Sequence, residues 1–396
     1  MHRDSEIFYN NIAQTSPYPL GITIEKAEGV YLYSPEGKEY IDLISGIGVS
    51  NIGHRHPKVI KAIKDQLDKH LHVMVYGEYI QYSSNNLAVK LNEVTPKNID
   101  CFYFVNSGTE ANEAALKLAK RYTQRTEIVS FKNSYHGNTH GSLSVSGNEL
   151  KKNAFRPLLP DVRFIEFNKV EDLINITEKT AGVIIETIQG DAGVRIPNNS
   201  YLKKLRERCS EVGALLIIDE IQTGFGRTGA FWAFEHYGIV PDVLTMAKAM
   251  GGGLPIGCFA ANKNIMDALS HDPILGHITT FGGNPVCCAS SLATIEVIQE
   301  EKLLEKVELK GKLFEELLQH AAIIEIRRKG LLFAIEFESA DLVNNIVQEC
   351  ISNGVICYWF LSNPHAFRIA PPLTISEDEI KKACTVIMQA INKYCN

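Results

Sequence analysis

No run of lysine or arginine interrupts this sequence. Its 40 basic residues are outnumbered by 46 acidic ones, leaving a net charge of −6. Nucleic acid or an acidic membrane surface would find no basic tract to bind. Long apolar runs are also missing. The stretch ALLII at 214–218 falls far short of the ~20 apolar residues that a spanning helix needs. The start, MHRDSEIFYNNIAQ, carries Arg3 and Asp4 early and has no apolar core, so a secretory signal is not expected. The nine cysteines are odd in number, Cys287 and Cys288 are adjacent, and no C-x-x-C occurs. Such usage fits reduced thiols rather than a disulfide framework or a zinc site. These absences predict a soluble, cytoplasmic protein with neither nucleic acid nor membrane as partner.

Missing motifs narrow the chemistry. There is no G-x-x-x-x-G-K-S/T and no G-x-S-x-G, which removes the main support for P-loop and α/β-hydrolase chemistry. GFGRTG at 224–229 matches G-x-G-x-x-G. It lies too far beyond the strand end at Asp219 for the tight strand-to-helix turn of a dinucleotide site. HGNTH at 136–140 has metal-like histidine spacing but lacks the glutamate of H-E-x-x-H and sits in a glycine-containing loop. No metal site is expected.

What is present is a sequence of 396 residues, 45% hydrophobic and 22% charged, which suggests two domains. Short apolar runs at 101–105, 127–131, 162–167, 182–186, 214–219 and 242–247 suit strands buried on both faces. Helix-period segments lie between them; Ala111, Ala114, Ala115, Leu118, Ala119 and Tyr122 share one face. This alternation predicts a mostly parallel sheet covered by helices. A long helix from about Val286 to Leu318 should precede a small α+β region with strands near 323–337 and 355–369. The expected division is 1–49, packing with the small domain through strands around 21–43, then 50–284 and 285–396.

Polar residues stand where these strands end, the usual place for ligands in such sheets. Strand 101–105 runs into Asn106, Ser107, Gly108 and Thr109; strand 182–186 ends at Glu186, strand 214–219 at Asp219, and strand 242–247 meets Lys248. A lysine desolvated at a strand end becomes a nucleophilic amine suited to Schiff-base chemistry; a snorkelling lysine is the plain alternative. Gly251, Gly252 and Gly253 would let the backbone pass close to a bulky ligand. Asp219 must be paired or neutral if buried, either in an ordinary salt bridge or facing a protonated ring nitrogen. Ser107 and Glu110 fit a capping box, and the same helix start offers N–H groups to a phosphate.

The blocks NSGTEANEAALKLA (106–119), YHGNT (135–139), ETIQGDAG (186–193), IIDEIQTGFGRTG (217–229), AKAMGGGLPIG (247–257), TTFGGNP (279–285) and FRIAPPLTISEDE (367–379) occur in this order. Together they resemble the class III aminotransferases that use pyridoxal phosphate. The resemblance implies an α/β fold of type I, with a large, mostly parallel mixed sheet and a smaller α+β domain. It also implies a ping-pong transfer of an amino group. The donor would be an ω-amino or basic amino acid (acetylornithine, ornithine or 4-aminobutyrate) and the acceptor a keto acid such as 2-oxoglutarate. Lys248 looks like the Schiff-base lysine and proton carrier, and Asp219 like the partner of the pyridinium nitrogen. Gln222 resembles the residue near the phenolic oxygen; Ser107, Gly108 and Thr109 resemble the phosphate cup. Tyr135 takes the place of the stacked ring, and His136, Glu186 and Ile221 belong to the same implied cofactor set. Arg368 matches an arginine for a substrate carboxylate. Thr280 matches a threonine that reaches the phosphate of the neighbouring subunit, which implies a homodimer.

Two departures bear on the substrate. Asn138 stands where the ornithine and acetylornithine enzymes typically have arginine, and Asp191 where they have a glutamate that pairs with the carboxylate-binding arginine. Both are candidate substrate-binding residues. An aminomutase or racemase of the same fold would share Lys248 and Asp219, whereas a silent binding protein would be expected to lose one of them.

Overall fold

The computed structural model describes residues 3–198 and 200–395; Met1 and His2, at the head of the start segment, and Asn396 lie outside the described residues. Its largest sheet has seven strands. In spatial order they are Cys101–Val105, Gly257–Ala261, Val243–Met246, Leu215–Asp219, Thr180–Glu186, Glu127–Phe131 and Val162–Ile165. All but Gly257–Ala261 point the same way; that strand pairs antiparallel with both neighbours. Every residue of Thr180–Glu186 and of Leu215–Asp219 is buried, as strands with helices on both faces require. The expected strands are all present with small shifts at their ends. Gly257–Ala261 was not foreseen: GCFAA contains no β-branched residue, and burial between two neighbours holds it in the sheet instead.

Helix Gly108–Thr123 packs on this sheet through Ala111, Ala114, Ala115, Leu118 and Ala119. Ser107 caps it, its hydroxyl accepting from the Glu110 amide at 3.3 Å. Glu110 reaches back one residue further than a simple capping box would, accepting from the Asn106 amide at 2.6 Å.

The expected single helix from Val286 to Leu318 is two helices, Pro285–Glu300 and Leu303–Leu317. Lys302 breaks it with φ +50°. Lysine and glutamate favour helix, so EEK at 300–302 gives no sign of a stop. After it comes a four-stranded antiparallel sheet ordered Glu325–Lys329, Leu332–Glu336, Ala366–Ile369, Tyr358–Trp359. The N-terminal strands Lys26–Glu28, Tyr31–Tyr33 and Glu39–Asp42 join Val355–Ile356 in a separate sheet. The N-terminal strands and the C-terminal part of the chain thus share one sheet. Among the described residues no helix is long and apolar enough to cross a membrane.

Candidate active site

The carboxyl edge of the large sheet opens into a cavity of about 500 Å³. The four polar strand ends do converge there: Asn106, Ser107, Gly108, Thr109, Glu186, Asp219 and Lys248 all line it. So do Tyr135, His136, Asn138, Ile221 and Gln222.

At one end of the cavity lies the start of helix Gly108–Thr123. The first amides of a helix have no acceptor within it, and the helix dipole is positive there. The site is closely built around this turn. A Cβ on Gly108 would fall 2.7 Å from Ile221 Cδ1, and one on Gly137 would fall 2.4 Å from Thr109 Oγ1. Thr109 Oγ1 lies 2.7 Å from Thr139 Oγ1, leaving a short wall of hydroxyls. Such a corner suits a phosphate.

At the other end, Asp219 is buried and held by three donors. Its Oδ2 accepts from Asn112 Nδ2 and from His136 Nδ1, each at 2.8 Å. Its Oδ1 accepts from the Ile221 amide at 3.0 Å. Oδ2 is therefore saturated, while Oδ1 has a lone pair left for a ring N–H. Asn112 is itself fixed, accepting from Thr245 Oγ1 at 2.8 Å and donating to the His136 carbonyl.

Lys248 follows strand Val243–Met246 and carries φ +48°, an uncommon conformation for a residue with a side chain. Its amine makes no hydrogen bond or ion pair among the described residues. Desolvation is the main cause that lowers its pKa, with help from the Arg368 charge, to about 8. Capture of an aldehyde needs the neutral amine, so the sign is simple. Uptake of pyridoxal phosphate by the cofactor-free protein should quicken as pH rises through about 8 and then level off. Stopped-flow absorbance checks this; a rate still climbing steeply at the ordinary lysine pKa of about 10.4 would contradict it.

The aminotransferase class-III family model matches residues 12–391. The chain is a class III aminotransferase. It is 41% identical over 368 residues to an acetylornithine aminotransferase of Archaeoglobus fulgidus, covering 93% of this chain and 95% of the relative. It is 42% identical over 322 residues to a LysW-aminoadipate semialdehyde/glutamate semialdehyde transaminase of Sulfurisphaera tokodaii, covering 80% and 82%. Among solved structures, an ornithine aminotransferase from Toxoplasma gondii superposes with a TM-score of 0.91 at 29% identity, covering 98% of this chain and 93% of that one. The aminotransferase uses pyridoxal phosphate, and the two ends of the cavity fit its phosphate and its ring nitrogen.

Arg368 and Asp191 do not line the main cavity of this aminotransferase but lie beside it. Arg368 is buried on strand Ala366–Ile369. Its Nη2 meets Asp191 Oδ1 at 3.1 Å, and the guanidinium sits 4.6 Å from the Phe360 ring centroid. Its Nε is buried and unpartnered. Asp191 also accepts from the Leu361 amide at 3.1 Å and from Ser362 Oγ at 2.9 Å. Thr280 is exposed and outside the cavity.

Glu186 bridges the Tyr135 amide at 2.9 Å and the Gly190 amide at 3.1 Å, and burial pushes its pKa up to about 7. Gln222 occupies space that only glycine at 190 leaves open, since a Cβ there would fall 2.0 Å from Gln222 Oε1.

The expectation for the glycine run needs correction. Gly253 lines the cavity, but Gly251 and Gly252 do not. A Cβ on Gly252 would fall 2.2 Å from Thr294 Oγ1, so that glycine serves close packing on helix Pro285–Glu300 and not the ligand. GFGRTG forms no ligand loop: Arg227 is fully buried and binds the Leu331 carbonyl at 3.0 Å and the Pro371 carbonyl. It ties this turn to the C-terminal part of the chain. His140 of HGNTH is exposed, while His136 serves Asp219.

Sequence reasoning missed Asn112, Val49, Ile188, Thr223 and the Leu254–Ile256 rim. Asn112 had a signal, a lone amide on the alanine face of its helix. The apolar rim residues had none.

Proposed function

We propose that this aminotransferase takes its amino group from an ω-amino or basic amino acid and passes it to a keto acid such as 2-oxoglutarate. The observation that carries the reading is Arg368, a buried cation beside Lys248 with an unpartnered Nε and one carboxylate, Asp191, as its ion-pair partner. A substrate carboxylate can take the place of Asp191 as a charge-matched, forked partner. The names of the acetylornithine and semialdehyde relatives support a donor whose reacting amine lies far from its carboxylate.

The cofactor, when bound, supplies the electron sink that lets the substrate carbon release a proton. Lys248 Nζ, desolvated and without a partner, would be the base that takes up and gives back that proton. Asp219 Oδ1 would keep a proton on the ring nitrogen, with Asn112 and His136 holding the carboxylate in place. Ser107, Gly108 and Thr109 would hold its phosphate, Tyr135 and Ile221 its ring, and Gln222 its oxygen substituent. His136 and Glu186 position Asp219 and Tyr135.

A homodimer completes the site in this reading. Thr280 lies between Ile278 and Phe281, which are 47% and 58% exposed, next to a segment bearing Ile80 and Tyr82 at 89% and 85%. The segments share a cavity lined by Tyr79, Ile80, Thr279 and Gly282. So much apolar surface calls for a cover; a second copy would bring Thr280 to the other subunit's phosphate. The working division remains 1–49, 50–284 and 285–396, and the free thiols of all nine cysteines suit a cytoplasmic setting.

A half-reaction screen tests the donor. The loaded protein is mixed with single amines and loss of its visible absorbance is followed. ω-Amino and basic amino acids should react fastest, and added 2-oxoglutarate should restore the band; an aminomutase or racemase would not need the keto acid. Arg368→Ala should raise KM for the keto acid by about 10- to 100-fold, the cost of a lost charged hydrogen bond, while barely changing simple amines. Equal losses for both would remove Arg368 from carboxylate binding.

A further inference from the structure

The loop HGNTH at 136–140 is tied to the start of helix Gly108–Thr123 by a relay of hydroxyls. The relay ends on Glu113, one turn along that helix from Thr109. Glu113 Oε1 accepts from the Gly141 amide at 2.8 Å, from the Ser142 amide at 3.0 Å and from the Thr139 hydroxyl. The carboxylate fills the space that a side chain at 141 would need, since a Cβ there would fall 2.0 Å from Glu113 Oε2. Thr139 Oγ1 in turn meets Thr109 Oγ1 at 2.7 Å. Thr109 lines the main cavity, whereas Thr139 and Glu113 stand behind it.

Hydrogen counting fixes the direction of this relay. A carboxylate only accepts, and a hydroxyl has one hydrogen to give. Thr139 spends its hydrogen on Glu113, so it can only accept in its contact with Thr109. The Thr109 hydroxyl is therefore the donor there, and its single hydrogen points out of the cavity. Its other neighbours meet lone pairs, one of which faces the Thr139 amide at 3.4 Å. Lone pairs repel phosphate oxygens. Three donors at this corner remain unspent among the described residues. They are the Gly108 amide, the Thr109 amide and the Ser107 hydroxyl hydrogen, because Ser107 Oγ serves Glu110 only as an acceptor.

We infer that Glu113, acting through Thr139, turns the Thr109 hydroxyl away from the cofactor's phosphate, so that Thr109 holds the phosphate by its backbone amide alone. Glu113 and Thr139 are then positioning residues of the phosphate corner. The inference rests on the reading that Ser107, Gly108 and Thr109 hold the phosphate, and it deepens that reading. The Thr109 hydroxyl has a different task. It ties the helix start to the loop that carries Tyr135, His136 and Asn138 into the cavity, which keeps the phosphate end and the ring end of the site in register. The corner therefore grips the phosphate less tightly than its full set of donors would allow.

Thr139→Val tests this, because it removes the acceptor of the Thr109 hydrogen and frees that hydroxyl to turn to the phosphate. Thr139 is exposed, so the change leaves folding intact. The full-length protein, stripped of cofactor, is titrated by absorbance with pyridoxal phosphate and with pyridoxal, which has the same ring and aldehyde but no phosphate. Thr139→Val should raise the ratio of the two affinities by about three- to tenfold, the range for one hydrogen bond in partial contact with water. Thr139→Ser should keep the wild-type ratio, and adding Thr109→Val to Thr139→Val should cancel the gain. Mere loosening of the loop would weaken both ligands together and leave the ratio where it was. A ratio unchanged or lowered in Thr139→Val, or a gain that survives loss of the Thr109 hydroxyl, overturns the relay alone. A wild type that binds pyridoxal as tightly as pyridoxal phosphate overturns the phosphate-corner reading itself.

Discussion

Lys248→Ala should be colourless in the internal-cofactor band and should turn over at least about 10⁴-fold more slowly than the wild type, the upper range for losing a general acid–base group. The size follows from what Lys248 does alone. Its amine is the one basic nitrogen lining the main cavity among the described residues apart from His136, and His136 Nδ1 is committed to Asp219. Nothing else there can both hold the cofactor and carry a proton between adjacent carbons. The backbone points the same way. A lysine held at φ +48° is strained by its own Cβ, and strain of this kind persists where surrounding packing fixes it, commonly at reacting groups. Spectra and single-turnover rates check the prediction together. A variant that keeps the visible band and loses less than tenfold in rate would show that another amine anchors the cofactor.

The strand ends were legible because buried parallel strands read as apolar runs. A carboxylate or lysine at the edge of such a run stands out, and Glu186, Asp219 and Lys248 all meet at the cavity. The helix start at Ser107 was equally plain, since capping residues announce themselves. What stayed hidden depends on tertiary contact. Gly257–Ala261 has only Phe259 to favour a strand and no β-branched residue. The break at Lys302 falls among good helix formers. The role of Gly252 depends on Thr294, which no local pattern reveals. The pairing of Asp191 with Arg368, 177 positions apart, was implied by the family resemblance and not by any local pattern.

Asp219→Asn should lower kcat by about 10²- to 10⁴-fold while keeping the visible band of the loaded protein. The amide is nearly isosteric with the carboxylate, so shape is not the cause. Its oxygen can face Asn112 Nδ2 and His136 Nδ1, preserving the two bonds now made by Asp219 Oδ2. That choice puts the amide NH2 where Oδ1 now accepts from the Ile221 amide, and there it opposes one N–H and faces the ring nitrogen with another. A donor in that place favours an unprotonated ring nitrogen, whereas the carboxylate favours the protonated one. The electron sink is weakened at its far end while Lys248 and the phosphate corner remain whole. Binding of the cofactor should therefore fall less than the rate of proton removal. Measuring cofactor affinity and half-reaction rate on the same variant separates the two. Loss of both in proportion would mean that Asp219 acts mainly as a structural anchor for Asn112 and His136, and a rate within tenfold of wild type would leave its charge without a catalytic part.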